Sequence, residues 1–145
     1  LYLGACFQGG KFDNVRFLYM TDKVSFGHRL FKIISEDFPF LKKLVIFNYS
    51  EQEDKPLHSS TLIIFHHLIE LNLLCAHSDY IMQFLADKIT RLPRLTRLEV
   101  SYEKLLTLTN YFRNDVARLN CQKVKSININ KFVYTPKFYS YFPSL

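Results

Sequence analysis

One apolar beat, Leu-x-x-Leu-x-aliphatic, returns along this chain at a nearly constant interval. It is carried by Leu41, Leu44 and Ile46, by Leu68, Leu71 and Leu73, and by Leu95, Leu98 and Val100, with lead leucines 27 residues apart. Each beat follows a related tripeptide: Phe38-Pro39-Phe40, Phe65-His66-His67 and Leu92-Pro93-Arg94. A fourth, Phe142-Pro143-Ser144, leads into Leu145. The last two apolar positions flank one intervening residue, the two-residue period of a strand with one buried face. A strand this short cannot bury that face alone. Like strands at a fixed interval solve the problem by stacking, so that neighbouring repeats share one continuous core.

Two further beats fit. Val15, Leu18 and Met20 begin 26 residues before Leu41, and Val124, Ile127 and Ile129 begin 29 residues after Leu95. A trace of a sixth survives at Leu1-Tyr2-Leu3, with Cys6 three residues on, although its successor follows too soon for a full repeat. Intervals of 26 to 29 lie in or at the edge of the leucine-rich-repeat window. The expected fold is α/β: a right-handed leucine-rich-repeat solenoid of about five irregular repeats, with parallel strands on the concave face and helices and loops on the convex side. Residues 1–145 read as a single leucine-rich-repeat domain. Neither end carries the polar face of a capping repeat, so the domain reads as truncated at both ends.

Between the beats, apolar spacings of three and four predict helices over residues 28–38, 79–92 and 104–119. Ser78 and Asp79 offer caps for the second. Pro39 and Pro93 mark stops, because the residue before a proline avoids helical geometry. Residues 50–56 have no apolar period and read as a solvated loop. The connection over 134–142 is short and aromatic, so only a weak helix is expected there. The Asn or Cys that closes a regular repeat is replaced here by Lys23, Tyr49, Ala76, Glu103 and Phe132. The turning backbone amides must then find other partners.

Composition narrows the function. At 48% hydrophobic content the chain can bury a sizeable core. Residues 1–75 balance eight Lys/Arg against eight Asp/Glu, while residues 76–145 hold eleven against five, so the +6 excess lies in the second half. Cys6, Cys75 and Cys121 are odd in number and far apart, which argues against a disulfide framework and for an intracellular compartment, cytoplasmic or nuclear. No stretch approaches the ~18 apolar residues of a membrane span, and no membrane partner is expected. His66, His67, His77 and Asp79 supply ligand types without zinc spacing. No Cys–His pairing supports a nucleophile, and Gly9-Gly10 is a turn rather than a phosphate loop. The chain reads as non-catalytic, without metal or cofactor.

Three blocks resemble the leucine-rich-repeat region of F-box proteins: Phe38-Pro39-Phe40-Leu41-Lys42-Lys43-Leu44, Leu92-Pro93-Arg94-Leu95 with Leu98, and Asn14-Val15-Arg16-Phe17-Leu18-Tyr19-Met20. The resemblance covers essentially the whole chain. It implies a protein-interaction module, the substrate-recognition arm of an F-box protein in an SCF-type ubiquitin ligase. The ligase adaptor would bind only through an F-box outside this segment. Alternatives are a generic repeat scaffold, or phosphate or nucleic-acid binding through the basic second half, where Arg91, Arg94, Arg97, Lys123, Lys125 and Lys131 gather. Alternation sends the three arginines in different directions and no nucleic-acid motif accompanies them. Solvated charge is the expected reading of this cluster.

Outward strand positions should stack into rows across the concave face. The first row is Phe17, Lys43, Glu70, Arg97 and Ser126; the second Tyr19, Val45, Asn72, Glu99 and Asn128; the third Thr21, Phe47, Leu74, Ser101 and Asn130. The candidate partner-binding residues are Phe17, Tyr19, Lys43, Val45, Phe47, Glu70, Asn72, Leu74, Arg97 and Glu99. Apolar members gather on the early strands and polar members on the late ones. Aromatic anchors beside a charged rim are the composition of a protein-binding hot spot.

Overall fold

Burial of alternate aliphatic residues lays the strands side by side. The computed structural model describes residues 1–57, 60–131 and 135–145. Its strands are β1 (Tyr2–Leu3), β2 (Phe17–Thr21), β3 (Lys43–Phe47), β4 (Ile63–Ile64), β5 (Glu70–Asn72), β6 (Thr90–Arg91), β7 (Arg97–Val100) and β8 (Ser126–Ile129). Six of them form one parallel sheet in the order β1-β2-β3-β5-β7-β8, with β4 and β6 paired in a second, two-stranded one. With helices packed on it, the protein is α/β. The 27-residue interval of the sequence is the register of the sheet: Lys43 opposes Glu70, and Glu70 opposes Arg97. The trace at Leu1-Tyr2-Leu3 is a true strand, Tyr2 opposing Tyr19.

Inward residues Leu18, Met20, Leu44, Ile46, Leu71, Leu98 and Val100 are buried, as are the lead leucines Leu41, Leu68 and Leu95. They share one core with Phe31, Ile34, Ile81, Phe84 and Leu105 from the helices. The helices are α1 (His28–Asp37), α2 (Ser78–Leu85), α3 (Tyr102–Thr109), α4 (Arg118–Cys121) and α5 (Pro136–Tyr141). Helix α1 ends before Pro39 as expected. Helix α2 is shorter than residues 79–92, because Ala86 turns extended and residues 90–91 leave to pair with β4. Pro93 therefore stops no helix. The cap of α2 is His77, whose Nδ1 accepts from the Asp79 N–H at 3.1 Å, rather than Ser78 or Asp79.

The segment over 104–119 is not one helix. Asn110, Tyr111 and Phe112 all adopt positive φ, at 48°, 58° and 61°, a conformation that costs non-glycine residues energy. Packing offsets that cost. The Phe112 ring sits 5.5 Å from Phe138 and 5.6 Å from Tyr141. Its burial comes from a left-handed turn, which imitates a helical spacing in the sequence. Helix α5 is better formed than its short connection suggested. Thr135 caps it by accepting from the Phe138 N–H at 3.2 Å, with Pro136 in the first turn. Tyr134, where that connection was expected to begin, lies outside the described residues.

The turns close through residues one or two places earlier than expected. Asp22 accepts from the backbone of Ala5, Lys23 and Val24. Buried Asn48 donates to Val24 O at 2.8 Å and accepts from Ser50 N. Asn130 accepts from Tyr102 N. Phe132, one of the positions named above, lies outside the described residues. The amide of Ala5, followed by those of Val24 and Lys23, holds the Asp22 carboxyl below its ordinary value of 3.8. A lowered carboxylate contributes stability above that value and loses it as pH falls through the folded-state pKa. Asp22→Asn is therefore expected to lower the melting temperature at neutral pH. The gap to the wild type should close in melting curves taken progressively below pH 3.8.

The loop over 50–56 is not wholly solvated. Gln52 is 1% exposed, its Nε2 donating to Phe26 O and to Gln83 Oε1, both at 3.1 Å. Gln83, Thr90 and Asn120 continue this polar column beneath the helices. Asn120 Nδ2 donates to Leu85 O at 3.0 Å and Thr90 O at 2.7 Å, and its Oδ1 accepts from Leu92 N at 2.9 Å. Among the described residues no buried side-chain nitrogen or oxygen is left without a partner.

Candidate functional site: the outward face of the sheet

Parallel pairing brings the candidate residues together in two of the three expected rows. The first runs Phe17, Lys43, Glu70, Arg97, Ser126 and the second Tyr19, Val45, Asn72, Glu99, Asn128. The third row stops after Thr21 and Phe47. Strand β5 ends at Asn72, and Asn48 opposes Ala76 instead of residue 75. One extra residue on the β5 side shifts Leu74 out of line with Phe47, while Asn72 Oδ1 accepts from Leu74 N at 3.0 Å and fixes the bend. Ser101 and Asn130 also lie beyond their strands, serving α3 as its N-cap residue and as the acceptor for Tyr102 N.

The rows differ in chemistry from one end to the other. In the first, Lys43 Nζ stands 5.2 Å over the Phe17 ring and 3.6 Å from Glu70, whose other oxygen accepts from Arg97 Nη1 at 2.9 Å. Cation, anion and cation thus neutralise one another along the row. Each exposed pair contributes at most about 1 kcal/mol, so the chain of pairs orders the side chains more than it stabilises the fold. In the second row, Asn128 donates to Glu99 at 3.0 Å. Lys43, Glu70, Asn72, Arg97 and Glu99 border a shallow depression of about 200 Å³.

At the early strands the surface turns aromatic. Phe17 and Phe47 remain exposed, and Tyr19 and Val45 half-buried. Two residues that the strand pattern missed extend this patch. Tyr2 packs its ring 5.1 Å from Tyr19, and Tyr49 lies edge-on to Phe47 at 5.3 Å. Tyr2 belonged to the trace set aside as too short. Tyr49 sits past the end of β3, where alternation no longer indicates direction. A hydrogen bond to the Cys75 thiol, with some desolvation, raises the Tyr49 phenol above its ordinary value.

A second surface was not legible in the sequence. On the side of α2 and α4 lies an open groove of about 1110 Å³ bordered by Leu57, Met82, Ile89, Val116 and Leu119. Its acidic residues serve the fold: Asp87 accepts from Leu119 N and Asn120 N, and Asp115 pairs with Arg118. Burial, opposed by those two amides, raises the Asp87 carboxyl above its ordinary range.

Among the described residues no group of three His, Cys, Asp or Glu could hold a metal ion. Cys6 is exposed, Cys75 half-buried and Cys121 buried, all with free thiols, and burial pushes the Cys121 thiol up. Among the described residues, no helix is long and apolar enough to cross a membrane. No family model, no curated protein and no solved structure matches this chain.

Proposed function

We propose that residues 1–145 form a leucine-rich-repeat solenoid segment whose concave face, the outward face of the six-stranded sheet, recognises another protein. On this reading the chain is the substrate-recognition arm of an intracellular F-box protein in an SCF-type ubiquitin ligase, and the ligase chemistry belongs to its partners. The observation that carries the binding reading is the in-register stacking of outward-facing side chains at a 27-residue offset. It turns three separate strands into one continuous surface, aromatic at one end and charge-ordered at the other. Aromatic residues held rigidly beside a polar rim supply most of the energy in protein interfaces. The repeat blocks that resemble F-box proteins support the ligase assignment.

The test uses the full-length protein. It should co-purify with the ligase adaptor and capture a ubiquitinated partner. Phe47→Asp and Tyr19→Ala should each keep the wild-type circular dichroism spectrum and the adaptor, yet lose partner capture by about tenfold or more, as hot-spot truncations do. A full-length protein that never binds the adaptor removes the ligase assignment. Unchanged capture by both variants removes the sheet face as the binding surface.

A further inference from the structure

Just ahead of the sheet, the side chains form another row that crosses both halves of the sequence. Three residues before their strands stand Phe40, His67, Arg94 and Lys123; one residue before stand Arg16, Lys42 and Lys125. The contacts are continuous. The Arg16 guanidinium lies 5.4 Å over the Phe40 ring, Phe40 and His67 are 5.5 Å apart between ring centroids, and Arg94 Nη1 is 3.4 Å from His67 Nδ1. Lys123 Nζ reaches Pro93 O at 3.5 Å.

The charge on this edge is predominantly positive. The four residues before each strand, 13–16, 39–42, 66–69, 93–96 and 122–125, hold five Lys/Arg and two His against one acid, Asp13, whose backbone carbonyl accepts from Arg16. All five cations are exposed, and among the described residues none of them is in a salt bridge. That sets the edge apart from the adjacent sheet face, where Glu70 neutralises both Lys43 and Arg97. Parallel neighbours stand about 4.8 Å apart, so the row extends about 19 Å across five strands.

We propose that this edge binds single-stranded nucleic acid, with phosphates against Arg16, Lys42, Arg94, Lys123 and Lys125 and bases stacking at Phe40 and His67. Open cations attract any polyanion. Two flat rings flanked by guanidinium groups in the middle of the row add the stacking surface that unpaired bases use and an acidic peptide does not need. The surface shares Arg94, Lys123 and Lys125 with the basic second half of the sequence but is not the same set. It draws Arg16 and Lys42 from the balanced first half and leaves out Arg91 and Arg97. The sheet-face residues proposed above take no part in it, so the two proposals stand or fall separately.

The test is fluorescence anisotropy of the 145-residue chain with mixed-sequence single-stranded RNA and DNA of about 12 nucleotides, within the roughly 4–16 nucleotide range of single-strand sites. Saturable binding is expected at low salt, weakening with a log–log salt slope of about −3.5 if the five cations each meet a phosphate. Arg94→Glu with Lys123→Glu should weaken it at least tenfold, and Phe40→Ala several-fold. Lys88→Glu with Arg113→Glu, an equal charge change elsewhere, should retain most of it. No saturable binding at low salt, or equal loss in the control pair, overturns the proposal. So does a phosphorylated acidic peptide that binds more tightly than the oligonucleotides, which would give the edge to a protein partner.

Discussion

Asn120→Ala is expected to lower folding stability by about 3 kcal/mol, read as a shift of the urea midpoint at an unchanged m-value. The side chain is 2% exposed and makes its three short hydrogen bonds to backbone groups: the carbonyls of Leu85 and Thr90 and the N–H of Leu92. All three belong to the irregular passage from α2 through β6 to the next repeat, where no helix or ladder partner is available to them. Alanine leaves buried groups unsatisfied at about 1–3 kcal/mol each. Partial relaxation and their shared neighbourhood keep the sum below simple addition. Asn128→Ala, which removes one exposed hydrogen bond to Glu99, should cost no more than about 0.5 kcal/mol. Equal midpoints for the two variants would show that the buried column does not hold this passage.

The contrast between those two asparagines also explains what the sequence could reveal. Leu44, Leu71 and Leu98 announce themselves because burial against water imposes one periodicity on all of them, and the sheet register follows from it. The outward rows come free with that register, so most candidate residues were legible before any geometry. Gln52, Gln83 and Asn120 were not. A buried polar side chain is chosen by the backbone groups it must satisfy, and those depend on how two distant loops meet. The same holds for Leu74, displaced by one extra residue after Asn72, and for Phe112, buried from a left-handed turn. The basic edge was legible only in part, through Arg94, Lys123 and Lys125 of the basic second half. Its members are separated by about one repeat, so along the chain they look like scattered charges and only strand pairing lines them up.

Phe84→Ala is expected to have the largest effect on the fold, a loss of about 3–5 kcal/mol. Phe84 is fully buried on the inner face of α2. Its ring meets Phe31 of α1 edge-on at 4.8 Å and Phe65, just past β4, at 5.8 Å. Truncation would open a cavity where α1, α2 and the second sheet converge. Domains of this size carry only about 5–15 kcal/mol in total, so the loss is a large share. Phe84→Leu, which keeps much of the volume, should cost less than half as much. The damage should also be local in a characteristic way. A stacked sheet passes stability from neighbour to neighbour, so amides of β5 and β7 should lose hydrogen-exchange protection before those of β2 and β3. Uniform loss across all six strands would mean that the sheet unfolds as one unit. The aromatic end of the outward face would then depend on Phe84 as much as the polar end does.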